Sequence, residues 1–176
     1  MRDLLDIVKE YKPSKAARAY PIYQEYARHF ERIRHLKLNL LEIGVAMGGS
    51  LRTWQEYFPN AQIYGIDKNK KALFSDERIK TFHGRQDDLA FLEEVVKEIN
   101  GSLDIVIDDG AHRYDQQLAS LQVLLPHAEL YYAIQDIHYD HFSIMPFLFN
   151  MVDEEDSIVS NIFVIRRMAL LELKYE

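Results

Sequence analysis

The chain has 176 residues, 48% of them hydrophobic and 28% charged, with no cysteine and a formal net charge of −7 from 21 basic and 28 acidic side chains. That length suits one domain around one core, and no run approaches the ~20 apolar residues of a membrane span. The acidic balance argues against a nucleic-acid partner, which calls for clustered Lys and Arg, and the lack of cysteine removes disulfides, thiolate metal ligands and a cysteine nucleophile.

The first residues, MRDLLDIVKEYKPSK, mix charges into apolar positions and lack the apolar stretch of a secretory signal, so a cytoplasmic protein without a membrane partner is expected. Apolar residues at spacings of three and four predict helices over 3–11 and 16–35, separated by Lys12-Pro13-Ser14, where proline breaks a helix. The basic residues of this region, among them Lys9, Lys15, Arg18, Arg28 and Arg32, alternate with Glu and aromatics and read as a solvated face. Residues 38–45 form a short apolar run that ends in the glycine-bearing stretch 44–49 and passes into a helical pattern over 50–58, stopped by Pro59-Asn60. The same alternation then gives strand 62–66, a short helix 70–75, strand 79–83, helix 87–99, strand 103–107, helix 114–125, strand 131–134 and helix 141–152.

Strands alternating with helices imply a mostly parallel sheet covered on both faces, a single doubly wound α/β domain. The rhythm changes at 157–175, where two β-rich runs, 158–165 and 168–173, interrupted by Arg166-Arg167, predict a closing antiparallel hairpin. One domain over 1–176 is therefore expected, with N-terminal helices over 1–36, a βα core over 37–156 and the hairpin over 157–176.

Ligands of open parallel sheets sit at the carboxyl ends of the strands. After the first strand come Glu42, Gly44 and the loop to Gly49-Ser50; glycines let backbone approach a ligand, and the following helix start offers free N–H groups, although a plain strand-to-helix turn has the same look. Asp67 ends the second strand, some twenty residues on, where a carboxylate can accept from both hydroxyls of a ribose or can simply cap a turn. After the fourth strand, Asp108-Asp109-Gly110-Ala111-His112 puts hard oxygen ligands and a titratable base within a few residues, and Gln135-Asp136-Ile137-His138 follows the neighbouring strand. Each alone can be a cap or a solvated turn. Convergence of Asp109, His112 and Asp136 at adjacent strand ends is harder to explain that way.

With these residues assembled, the chain resembles the class I S-adenosylmethionine-dependent methyltransferases, specifically the metal-dependent macrolide-sugar O-methyltransferases of the macrocin and mycinamicin type, and the cephalosporin-hydroxylase-like proteins. The resemblance runs from about residue 20 to about residue 142 and is carried by LLEIGVAMGGSLRTWQEYFPNAQIYGID, IDDGAH and QDIH. It implies a Rossmann-like domain in which Glu42 and Ser50 hold the amino and carboxylate groups of the donor's methionine part, Gly44 leaves room for it, and Asp67 binds its ribose. Gln86 and Asp87 would lie on the adenine side, where Arg85 replaces an expected aspartate, and Asp108 counts with them among the cofactor-binding residues. Asp109 would bind magnesium and His112 would act as base. Gln135-Asp136 stands where the family carries a Glu-Asp pair that completes the metal site.

The expected reaction is methyl transfer from S-adenosylmethionine, assisted by Mg²⁺, to a hydroxyl of a small polar acceptor of sugar or diol type. Two rivals remain: a non-catalytic protein binding S-adenosylmethionine or S-adenosylhomocysteine with a degenerate metal site, and an NAD-dependent oxidoreductase. The second is weakened because Gly44-Val45-Ala46-Met47-Gly48-Gly49 lacks the Gly-x-Gly-x-x-Gly spacing. Tyr20, Tyr23, Tyr26 and Phe30 could line a substrate pocket or a homo-oligomer interface, but their helical spacing favours core packing.

Overall fold

A computed structural model describes residues 2–11, 16–100, 102–138, 143–153 and 156–174. The break expected at Lys12-Pro13-Ser14, the first two residues of the helix expected from 141 and the last two residues of the hairpin expected over 157–176 lie outside the described residues. Among the described residues seven strands form one sheet: β1 (Asn39–Ile43), β2 (Gln62–Asp67), β3 (Ile79–His83), β4 (Leu103–Asp108), β5 (Ala128–Ile134), β6 (Val159–Ile165) and β7 (Met168–Leu173). Their order is β3-β2-β1-β4-β5-β7-β6. The first five pair parallel; β7 runs antiparallel to both β5 and β6. The doubly wound, mostly parallel sheet with a C-terminal antiparallel hairpin is thus the observed fold.

Among the described residues six α-helices cover the sheet: α1 (Leu4–Tyr11), α2 (Ala16–Phe30), α3 (Gly49–Tyr57), α4 (Leu89–Ile99), α5 (Tyr114–Leu124) and α6 (Met145–Asp153). Side chains alternate across the strands with period two, so each strand feeds two cores. Leu40, Ile105, Ile107, Tyr131 and Leu170 face the layer of α1, α2 and α3, while Leu41, Val106, Tyr132, Ile134 and Leu171 face that of α4, α5 and α6. Burial on both faces is why these strands read as continuous apolar runs.

Local chemistry sets the boundaries. The helix expected over 70–75 is a single 3₁₀ turn, Lys70–Ala72, because the Asn69 side chain accepts from the Lys71 N–H and the backbone is extended again at Leu73. The helix expected from 87 starts at Leu89, since Asp88 is its N-cap and accepts from the Phe91 N–H. At the other end of the long N-terminal helix, α2 stops at Phe30 and tightens into a 3₁₀ turn at Glu31–Ile33 rather than continuing to residue 35. Strand β5 begins at Ala128, three residues before the apolar run that marks it.

The chain winds from β1 outward through β2 and β3, then returns to the other side of β1 with β4 and β5. The strand order reverses between β1 and β4, and a crevice opens above their carboxyl ends. Their backbones meet closely there. A Cβ on Gly44, whose φ is 101°, would lie 2.3 Å from the Asp109 carbonyl oxygen, so this position demands glycine.

Candidate active site

Three strand-end loops are tied together at the crevice. Asp67, the last residue of β2, accepts from the Val45 and Ala46 N–H groups through Oδ2, both at 3.0 Å, and from the Asn69 N–H through Oδ1 at 2.7 Å. Its carboxylate therefore shapes the loop leading to α3 as well as facing the cleft. That loop is bent: Ala46 has φ 49° and Gly48, the N-cap of α3, φ 75°. A left-handed conformation costs a residue with a Cβ about 1–2 kcal/mol. Two further non-glycine residues of the site share it, His112 at 58° and Asp136 at 52°. Such strain persists only where the surroundings over-determine it.

Glu42, near the end of β1, is buried with 1% of its surface exposed. It accepts from Ser50 Oγ and Trp54 Nε1, each at 2.8 Å, which draws the first turns of α3 onto β1. Burial pushes its carboxyl up to about 8; the Ser50 hydrogen bond works against this, the nearby Asp109 charge adds to it and the Trp54 hydrogen bond opposes it. Aromatic rings close over this end: Trp54 lies 5.6 Å from Tyr23 and 5.4 Å from Tyr26 between ring centroids. The Tyr26 hydroxyl accepts from Gln135 Nε2 at 3.0 Å, linking α2 to the end of β5.

At the ends of β4 and β5, one potential ligand atom each from Asp109, His112 and Asp136 lies within 4.8 Å of the others. His112 Nε2 stands 3.6 Å from Asp136 Oδ2 and 4.0 Å from Asp109 Oδ1. This is a partly buried cluster of two hard carboxylates and one imidazole. Beneath it, Asp108 is fully buried and does not reach the cleft; it accepts from Gln86 Nε2, Ser120 Oγ and the Gly110 N–H. Burial raises its carboxyl above the usual range, against those three hydrogen bonds. Asp87, near the surface, behaves oppositely: a bidentate ion pair with Arg85, helped by a hydrogen bond from Gln116, holds it at about 2.

Gly44, Asp67, Gln86, Asp87, Asp109 and His112 line one cleft of about 260 Å³. Glu42, Ser50, Asp108, Gln135 and Asp136 are not part of its lining, and of these Glu42, Asp108 and Gln135 are buried. Sequence reasoning missed the polar residues of α5 that support the site: Gln116 on Asp87, Gln117 on the Gln135 carbonyl, Ser120 on Asp108. Their signal was present as polar side chains at helical spacing on an inward face, since Gln117 and Ser120 are buried.

No family model matches the chain. The mycinamicin VI 2''-O-methyltransferase of Micromonospora griseorubida is 36% identical over 144 residues, 77% of this chain and 36% of the relative. A 3'-O-methyltransferase of Streptomyces olivaceus, acting on 8-demethyl-8-(2-methoxy-alpha-L-rhamnosyl)-tetracenomycin-C, is 39% identical over 121 residues, 64% of this chain and 31% of the relative. Among solved structures, the MycE methyltransferase of the mycinamycin pathway, in complex with Mg, SAH and mycinamycin VI, superposes with a TM-score of 0.89 at 29% identity, covering 99% of this chain and 55% of that one. A putative caffeoyl-CoA O-methyltransferase from Staphylococcus aureus shares the fold, with a TM-score of 0.64 at 13% identity over 97% of each chain. The chain spans about a third of the length of the curated relatives it matches.

Proposed function

We propose that this chain, a class I S-adenosylmethionine-dependent methyltransferase domain resembling the macrolide-sugar O-methyltransferases, moves the donor's methyl group to a hydroxyl of a small sugar-like acceptor. The observation that carries the proposal is the convergence of Asp109, His112 and Asp136 beside the crevice that Gly44 and Asp67 border. In this reading Asp67 receives the ribose hydroxyls, and the donor's methionine part reaches towards Glu42 and the start of α3. An ammonium arriving there would favour the carboxylate form of Glu42 and relieve its burial. The free N–H groups at the start of α3 suit the donor's carboxylate.

Transfer forms an oxygen–carbon bond and breaks the sulfonium–carbon bond, while the acceptor's proton passes to His112. Nε2 of His112 faces Asp109 and Asp136, whose carboxylates would stabilise the imidazolium. Much of the rate would come from alignment, because the methyl is already activated on sulfur. The hard carboxylate oxygens of Asp109 and Asp136 fit a magnesium-sized cation and leave the His112 imidazole for the proton. Asp109 and Asp136 would hold it, with Gln135 as a neutral third group, and it would supply charge that lowers the pKa of the acceptor hydroxyl.

The test is to incubate the protein with S-adenosylmethionine, Mg²⁺ and a panel of rhamnosyl, mycinosyl and olivosyl glycosides, following S-adenosylhomocysteine and methylated glycoside by mass spectrometry. Stoichiometric appearance of both supports the proposal. Tight donor binding with no product on any glycoside or simple diol would leave a binding protein instead.

A further inference from the structure

Gln86 lies at the floor of the cleft, but both ends of its carboxamide are already engaged by the protein. Nε2 donates to the Asp108 carboxylate at 3.0 and 3.2 Å, and Oε1 accepts from the Ala111 N–H at 2.7 Å. The Asp108 carboxylate in turn takes the Gly110 N–H at 3.1 Å and Ser120 Oγ at 2.7 Å. Two consecutive N–H groups of the loop after β4 are thus pinned by a buried carboxamide and a buried carboxylate. The fit is close enough to dictate sequence: a Cβ on Gly110 would stand 2.1 Å from Gln86 Oε1. The next residue after this pinned pair is His112, held in the left-handed region at φ 58°.

We infer that Gln86 is a positioning residue that sets the Gly110–His112 loop, so that filling the nucleoside end of the cleft is felt at the imidazole of His112. This rests on the methyltransferase reading above for the identity of the ligand, though not for the clamp itself. Without the clamp, a loop with a strained residue would relax, because it is Gln86 that holds the Ala111 N–H. With it, a ligand that packs on the exposed side of Gln86 presses on a group whose far side is bonded to the loop. Contact with the nucleoside would be chiefly by packing, since Nε2 is turned onto Asp108 and Ser120 and Oε1, with one lone pair to spare, onto the Ala111 N–H.

Gln86→Met keeps the length and volume of the side chain and removes both hydrogen bonds. In the ligand-free protein the Ala111 amide should exchange its hydrogen at least about tenfold faster in the variant, while amides of the β1 and β4 core remain unchanged. On adding S-adenosylhomocysteine, the His112 ring resonance, assigned with His112→Ala, should shift in the wild type and stay nearly still in Gln86→Met, although the two bind with affinities within about threefold. Unchanged Ala111 exchange, or the same His112 shift in both proteins, overturns the inference. So does an affinity loss beyond tenfold with an unaltered Ala111 amide, which would make Gln86 a direct nucleoside ligand. If wild type fails to bind S-adenosylhomocysteine, the methyltransferase reading falls, and the ligand-free exchange still decides the clamp. Should Gln86→Met not fold, Ser120→Ala, which removes one hydrogen bond from Asp108, must loosen the Gly110 and Ala111 amides to a lesser degree, and protection equal to wild type counts against the clamp.

Discussion

Asp67 carries two duties that one substitution separates from the core. Its carboxylate takes three backbone N–H groups from two loops, so Asp67→Ala releases the glycine-bearing loop and, in the proposed reading, also removes the ribose contact. We expect S-adenosylhomocysteine affinity to fall about ten- to a hundredfold by calorimetry, with the unfolding midpoint changed only slightly. Glu42 responds to pH in a defined direction. Its folded pKa, about 8, lies above the ordinary carboxylate value near 4.5, so the folded state holds the proton more tightly. Its contribution to stability is then complete below pH 4.5 and fades as pH rises towards 8. In the ligand-free protein, Glu42→Gln should therefore lose less thermal stability than wild type between pH 5 and pH 8.5, and S-adenosylhomocysteine should narrow the gap; parallel melting curves would place Glu42 in contact with solvent. Gln135 donates to Tyr26, and a glutamate in its place would reverse that bond, accepting from the hydroxyl and adding a negative charge beside Asp136. Magnesium titrations with S-adenosylhomocysteine present should show tighter binding for Gln135→Glu than for wild type. Equal affinities would mean that this side chain does not face the metal.

At the scale of elements, α2 and α3 form one unit around Glu42. Trp54 is fully buried, packs against Tyr23, Tyr26 and Phe30, and donates to Glu42. Trp54→Ala should cost roughly 3–5 kcal/mol in denaturant unfolding, because it leaves a cavity between two helices and a strand. It should also free one of the two bonds holding Glu42, so the pH dependence of stability should steepen in the same variant. The aromatics of α2 were read from their spacing as core residues, and Tyr23, Tyr26 and Phe30 are buried. Their proximity to Glu42 and Gln135 was not legible, since Tyr26 and Gln135 meet across 109 residues of chain and leave no local pattern. For the same reason the strand ends could be found, each marked by an apolar run and an acid, while the links among Gln86, Asp108, Ala111 and Ser120 could not. The expected short helix at 70–75 failed differently: its local propensity lost to an Asn69 cap that closes only one turn.

For the molecule as a whole, the alternation of strands and helices was readable because a sheet buried on both faces writes its strands as apolar runs between turns. The hairpin was readable for a related reason, since β7 is buried between β5 and β6 and β6 lies at the sheet's edge. What the topology contributes is the crevice between β1 and β4, whose lining brings together Gly44, Asp67, Gln86, Asp109 and His112. Among the described residues no helix is long and apolar enough to cross a membrane. The bent loop at Ala46–Gly48 lacks the glycine spacing suited to a pyrophosphate, so the proposed methyl-donor reading and an NAD reading predict different ligands for this cleft. Calorimetric titration of the protein with S-adenosylhomocysteine, and separately with NAD, therefore decides most directly whether the crevice is a methyl-donor site. We expect saturable one-to-one binding of S-adenosylhomocysteine, weakened by Asp67→Ala, and no comparable heat with NAD; binding of NAD alone, or of neither, would contradict the assignment.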